Sequence, residues 1–165
     1  DVGTGTGCII LSLAAELREG VFVGLDISPE AVALAQENAA LTGLAERVLF
    51  AESDGCGEFD PASVDVLVSN PPYIPSHVVD GLAPHIRDHE PRLALDGGPD
   101  GLAVYRALLL DATMVLKAGG VLFLEIGADQ GVALRDLLDE YGFANVEIHQ
   151  DYAGRDRFAT GVQSV

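Results

Sequence analysis

A run of strand-forming residues that stops in two prolines constrains this chain more than any other stretch: Val64 to Tyr73 reads V-D-V-L-V-S-N-P-P-Y. The apolar residues predict a buried strand, and the prolines, which have no backbone donor, end its ladder and leave its carboxyl end open. Asn70 carries one carbonyl acceptor and two amide donors, and the carbonyl of Pro71 follows it, so the pair presents acceptors suited to a planar NH2 group. Pro72 completes the break, and the ring of Tyr73 is placed to wall a pocket or stack on a flat substrate. The bland alternative is a turn without chemistry, and context decides between them.

That context begins at Asp1-Val2-Gly3-Thr4-Gly5-Thr6-Gly7. Glycines at alternate positions let the backbone turn tightly and approach a ligand, and the apolar periodicity of Cys8 to Leu17 predicts the helix after them. By itself the pattern also fits a structural turn or a dinucleotide fingerprint. A strand is expected before such a loop, so most of a first strand is expected to lie outside this sequence. The next strand, Val21 to Leu25, ends in Asp26, about 20 residues past the loop, where a carboxylate is placed to accept both hydrogen bonds of a ribose diol. Ser28-Pro29-Glu30 supplies its own cap and first-turn proline for a helix running to about Thr42, which leaves Asp26 free for a ligand. A third strand, Arg47 to Ala51, is followed by Asp54 and Gly55, and Asp54 is placed to accept from an exocyclic amine such as that of adenine; a solvated loop acid is the alternative. Three strand ends thus carry ligand-type groups, and in open parallel sheets ligands bind outside the carboxyl ends of the strands.

The segment Ile74 to Asp100 shows no clear periodicity and reads as a long functional loop over those ends. Its His77, His85 and His89 lack metal-site spacing, so no metal is expected. A helix from Gly101 to Lys117, a strand from Val121 to Ile126 and a helix from Asp129 to Tyr141 come next. Strands Val146 to His149 and Arg157 to Val162 close the chain as an antiparallel hairpin. Alternating units of this kind predict one α/β domain over residues 1–165, a doubly wound and mostly parallel sheet with a C-terminal hairpin. The formal net charge of −17 disfavours nucleic acid as a partner. No apolar run is long enough for a membrane span, and Cys8 and Cys56 have neither metal nor disulfide-framework spacing, so a cytoplasmic setting is expected.

D-V-G-T-G-T-G, Asp26 and N-P-P-Y together resemble the Rossmann-like S-adenosylmethionine-dependent methyltransferases of class I. More narrowly, N-P-P-Y-I, H-E-P-R-L-A-L-D-G-G-P-D-G-L-x-x-Y-R, K-A-G-G-x-L-F-L-E-I-G-x-D-Q-G and D-Y-A-G-R-D-R-F resemble the HemK/PrmC release factor glutamine methyltransferases over nearly the whole chain. The resemblance implies S-adenosyl-L-methionine as cofactor, held by Gly3, Thr4, Gly5, Thr6, Gly7, Asp26, Asp54, Gly55 and Asn70. It implies a substrate clamp at Asn70, Pro71, Pro72 and Tyr73, with the glutamine of the GGQ motif of a peptide chain release factor as methyl acceptor. It also implies a helical N-terminal domain, absent from this sequence. The rival readings are N6-adenine methylation of DNA or RNA, which uses the same clamp on a flipped base, a nicotinamide oxidoreductase, and a non-catalytic binding module.

Overall fold

Gly7 takes a left-handed φ of 78° and hands the chain to the first helix, Cys8–Glu16 (α1). The computed structural model describes residues 1–164, which fall into two units that divide between Glu58 and Phe59.

In the first unit α1 is followed by Phe22–Asp26 (β1), Pro29–Leu41 (α2) and Val48–Glu52 (β2). The strands pair in parallel, Phe22 opposite Val48 through Asp26 opposite Glu52, and Val2 adds a parallel bridge to Leu25. Helix α2 begins as the sequence predicts: the Ser28 hydroxyl accepts the Ala31 amide at 3.1 Å, and Pro29 sits in the first turn. Its buried residues, Val32, Ala35 and Ala39, fall on one helical stripe. Ala39 joins Ile10, Leu11, Ala14, Phe22 and Val48 in one apolar cluster. Each large aliphatic or aromatic side chain buried there contributes roughly 1.5–3 kcal/mol relative to exposure.

Two local devices keep this packing in register. A Cβ on Gly24 would lie 2.7 Å from the Phe50 ring and 2.9 Å from the Thr4 hydroxyl, so only glycine lets both close on β1. Helix α1 has no basic residue in its last turn, and Arg47 supplies the missing cation from just before β2. Its guanidinium donates to the carbonyls of Ala14 (2.6 Å), Leu17 (2.8 Å) and Arg18 (3.2 Å) and lies 5.4 Å from the centre of the Phe22 ring.

The second unit contains Val64–Ser69 (β3), the single-turn helices Ser76–Val79 (α3) and Pro84–Arg87 (α4), and Ala103–Val115 (α5). Leu116–Glu125 (β4), Gly131–Glu140 (α6), Phe143–Gln150 (β5) and Asp156–Gln163 (β6) complete it. The sheet order is β3-β4-β6-β5, with β3 parallel to β4 and the other two pairings antiparallel. The expected C-terminal hairpin is therefore present, with a first strand three residues longer at its start than the sequence suggests. Tyr105, Leu109, Ala112 and Val115 of α5 and Leu134 and Leu138 of α6 are fully buried, as are Leu122 and Leu124 of β4. The Tyr105 phenol satisfies itself on the Glu125 carbonyl at 2.7 Å.

Two expectations need correction. The helix predicted to run to Lys117 ends at Val115, because Leu116 turns extended (φ −68°, ψ 136°), buries its side chain and pairs with Val64. Tertiary burial overrides the helical propensity of Leu-Lys-Ala; the pairing of β4 with β3 is broken by an irregularity after Leu116 and resumes at Val121, past Gly119 with its left-handed φ of 79°. The stretch predicted as one irregular loop, Ile74 to Asp100, holds α3, α4 and a 3-10 turn at Arg92–Ala94, each too short for periodicity to reveal.

Candidate active site

The glycine turn of the first unit is built on conformations that only glycine adopts easily. Gly3, Gly5 and Gly7 have φ of 70°, 55° and 78°. A Cβ on Gly5 would meet nothing within 4 Å, so that position is set by φ alone, whereas a Cβ on Gly7 would press on Ala35 and Leu11 at 3.2 Å. The turn is sewn to β1 by Leu25 N to Asp1 O and Thr4 N to Leu25 O, both 2.8 Å. It is fixed from α2 by Asn38, whose amide donates to Thr6 O at 2.9 Å.

Asp26 is more occupied than the sequence suggests. Its Oδ2 accepts the Gly5 amide at 2.8 Å and its Oδ1 accepts the Ser28 amide at 3.0 Å. The carboxylate is thus not free, although Ser28 caps α2 without it; one further lone-pair position stays open on each oxygen. The backbone of the same residue reaches the next strand end, since Ser53 N donates to Asp26 O at 2.9 Å and the Ser53 hydroxyl to Gly55 O at 2.8 Å. Gly3 to Gly7, Asp26 and the Ser53–Gly55 turn therefore form one bonded assembly, with Asp54 exposed on it. Thr4 is buried and gives its hydroxyl to Asp1 Oδ2 at 2.7 Å, an internal use, while Thr6 is exposed. The other oxygen of Asp1 is buried without a hydrogen-bond partner. Of the two side chains that brace this turn, Asp1 is signalled in the sequence only as the acid heading the glycine run, and Asn38 by nothing local.

In the second unit β3 ends at a buried Ser69, and Asn70 is exposed beyond it, with no described residue hydrogen-bonded to its side-chain amide. Pro71 is buried and Pro72 and Tyr73 are half-buried. The Leu95-to-Gly101 motif lies against this loop, backbone to backbone. Ile74 N donates to Leu95 O and Gly97 N to Ile74 O, each at 2.9 Å, a single parallel bridge of Ile74 to Asp96 directly after the prolines. A Cβ on Gly97 would lie 2.7 Å from Tyr73 Cα and 2.8 Å from Pro72 O, and a Cβ on Gly101 2.5 Å from Tyr73 O. Only glycine at these two positions permits so close an approach.

Acidic side chains lock that second layer. Asp96 accepts from the Ser76 hydroxyl (2.5 Å), the Gly98 amide (3.0 Å) and Arg92 (3.0 Å), and these bonds hold its carboxyl below the usual range. Asp100 accepts from Arg106 at 2.7 Å and the Leu102 amide at 3.0 Å, which lowers it to about 2.

The Tyr73 hydroxyl donates to Glu125 Oε1 at 3.3 Å. Burial, then the Glu125 charge, raises its pKa, so the phenol stays protonated and keeps donating. Arg157 bridges Glu125 and Asp151 at 3.6 Å each, and Asp151 closes the β5–β6 turn through the amides of Ala153 and Arg155. The D-Y-A-G-R-D-R-F motif thus supports the tyrosine from behind. His77, His85 and His89 are all exposed, and no group of three metal-ligating side chains comes together among the described residues.

A family model described as a methyltransferase domain matches residues 1–139. The release factor glutamine methyltransferase of Moorella thermoacetica is 51% identical over 158 residues, which is 95% of this chain and 56% of that protein. That of Caulobacter vibrioides is 45% identical over 164 residues, 99% of this chain and 57% of that protein. The chain spans little more than half the length of these curated relatives. Among solved structures, the ribosomal protein L11 methylase of Lactobacillus delbrueckii subsp. bulgaricus matches with a TM-score of 0.72 over 100% of this chain and 69% of that one, at 20% identity. That likeness shows the shared Rossmann-like α/β fold.

Proposed function

The chain belongs to the methyltransferase-domain family, and from that premise we propose that it carries the catalytic part of a protein N5-glutamine methyltransferase acting on peptide chain release factors. S-adenosyl-L-methionine is the methyl donor the family implies, and the first unit fits it on its own geometry. Asp26 keeps one open acceptor position on each oxygen, which suits two adjacent hydroxyls. The partnerless, buried Oδ1 of Asp1 beside the glycine turn suits an ammonium group. Gly3 to Gly7 give a backbone approach without side chains, and Asp54 and Gly55 are assigned to the adenine.

Bound S-adenosylmethionine supplies an already electrophilic methyl group, so the chain's own task is to deliver a nucleophile in line and keep water out. A glutamine amide nitrogen is a weak nucleophile, because its lone pair is delocalised into its carbonyl. The side-chain carbonyl of Asn70 and the main-chain carbonyl of Pro71 accept its two N–H groups, fix the nitrogen, and stabilise the positive charge that grows on it during transfer. The nitrogen then loses a proton to solvent. Pro72 stiffens the clamp, and Tyr73, held through Glu125, walls the acceptor side.

The observation that carries this reading is the exposed amide of Asn70, engaged by no described residue, on a loop whose following backbone is tied to the Leu95-to-Gly101 layer. The relatives named as release factor glutamine methyltransferases support the choice of acceptor. The charge of −17 weighs against the adenine-directed alternative. The proposed partner is a protein of the cytoplasm. No helix of the described residues is long and apolar enough to cross a membrane. Methyl transfer from labelled cofactor to a release factor, set against the same factor with its GGQ glutamine replaced, tests the assignment.

A further inference from the structure

The geometry points to Gln130 as the positioning residue for the Asn70–Tyr73 clamp, an inference that rests on the function proposed above. Gln130 stands at the start of α6 and is only 8% exposed. Its whole amide is consumed by backbone. Oε1 accepts the Gly127 amide at 2.8 Å, and Nε2 donates to Tyr73 O at 3.0 Å and Gly101 O at 3.3 Å. The orientation of the amide is set by its partners, since one donor and two carbonyls admit only one arrangement of oxygen and nitrogen.

These three partners belong to the turn after β4, the loop after β3, and the end of the Leu95-to-Gly101 layer, the last two already bridged at Ile74 and Asp96. One side chain ties them together. Tyr73 O lies two peptide units beyond Pro71 O, with Pro72 restricting the torsion between, so a shift at Tyr73 O is passed to the acceptor at Pro71. Glycine at 97 and 101 removes the side chains that would otherwise wedge the layers apart, and Gln130 supplies the bonds that close them. Asparagine is one methylene too short for this span, and glutamate offers Gly127 its acceptor but lacks the paired donors. A capping role for α6 alone does not account for the contacts, because both donors point away from the helix.

The test compares the protein with its Gln130→Met and Gln130→Glu variants. Three quantities are read: S-adenosylhomocysteine affinity by titration calorimetry, kcat and KM for release-factor methylation, and hydrogen exchange at the amides of Ile74, Gly97 and Gly127. Expected is a fall in kcat on the order of 10²-fold in both variants, the scale set by an ångström of misplacement, with cofactor affinity and acceptor KM within about twofold. Ile74 and Gly97 should exchange faster in both, and Gly127 faster in the methionine variant only. Wild-type kcat with unchanged exchange would overturn the assignment, as would a loss that appears equally in cofactor affinity. If Gln130→Met fails to fold, the same criteria applied to Gln130→Glu decide. If the parent protein itself leaves glutamine unmethylated, the proposed function fails, and the exchange pattern alone decides whether Gln130 holds the loop.

Discussion

Asp26 accepts the backbone amide of Gly5 through Oδ2 at 2.8 Å, which makes the glycine turn and the end of β1 one hydrogen-bonded unit. The acid assigned to a ribose is therefore also part of what shapes the turn. Asp26→Ala should weaken S-adenosylhomocysteine binding by roughly 1.5–3 kcal/mol, the scale of hydrogen bonds to a charged group. Asp26→Asn, which keeps an acceptor for Gly5, should lose less. Titration calorimetry on both decides it, and equal affinities for all three proteins would remove Asp26 from the cofactor site.

Asn70 makes the opposite kind of contribution. Its amide has no partner among the described residues, so its removal should leave the fold intact. Asn70→Ala is expected to lower the rate of methyl transfer by about 10²- to 10³-fold, the usual cost of losing a preorganised polar group at a transition state. Cofactor affinity should change little. Near-parental turnover in this variant would contradict the clamp.

Gly101 reports on the layer behind the clamp. Its φ of 75° and the 2.5 Å approach of an added Cβ to Tyr73 O mean that Gly101→Ala meets both backbone strain and a collision with main chain. Strain of about 1 kcal/mol for a left-handed alanine and about 1–3 kcal/mol for overpacking should add. Urea unfolding is expected to show the loss, whereas Gly119→Ala, with the same sign of φ but open space, should show only the strain.

Acid should weaken this layer, because two of its carboxyls are held below the usual range in the folded chain. Asp100 titrates near about 2 in the folded chain, held down first by Arg106 and then by the Leu102 amide, against about 3.9 when unperturbed. The unfolded chain binds more protons between those values, so the contribution is complete above pH ~4 and is lost as the pH falls towards 2. Asp96 is shifted in the same direction by Ser76 and Gly98. Circular dichroism melts from pH 5 to 2 should show a decline that Asp100→Asn reduces.

Much of this architecture was legible in the residues because its signals are local. Ser28-Pro29 fixes the start of α2, Gly7 that of α1, and the prolines the end of β3. What escaped depends on partners far along the chain. The bonds of Gln130 reach back 57 residues to Tyr73 and 29 to Gly101, and Glu125 meets Tyr73 across 52. Helical periodicity runs smoothly through Val115, and only the pairing of Leu116 with Val64 ends the helix there. Asp26 stands at its strand end as the sequence indicates, but its two backbone amides were invisible, because cap self-sufficiency at Ser28 says nothing about Gly5.

The central claim is the identity of the methyl acceptor. Labelled S-adenosylmethionine, the protein, and a peptide chain release factor with its GGQ glutamine intact or replaced by alanine put that claim to a single measurement. Label is expected on the intact factor, mapped by mass spectrometry to the glutamine side chain, and none on the substituted one. Equal labelling of both factors, or label transferred instead to adenine in added RNA or DNA, would contradict it.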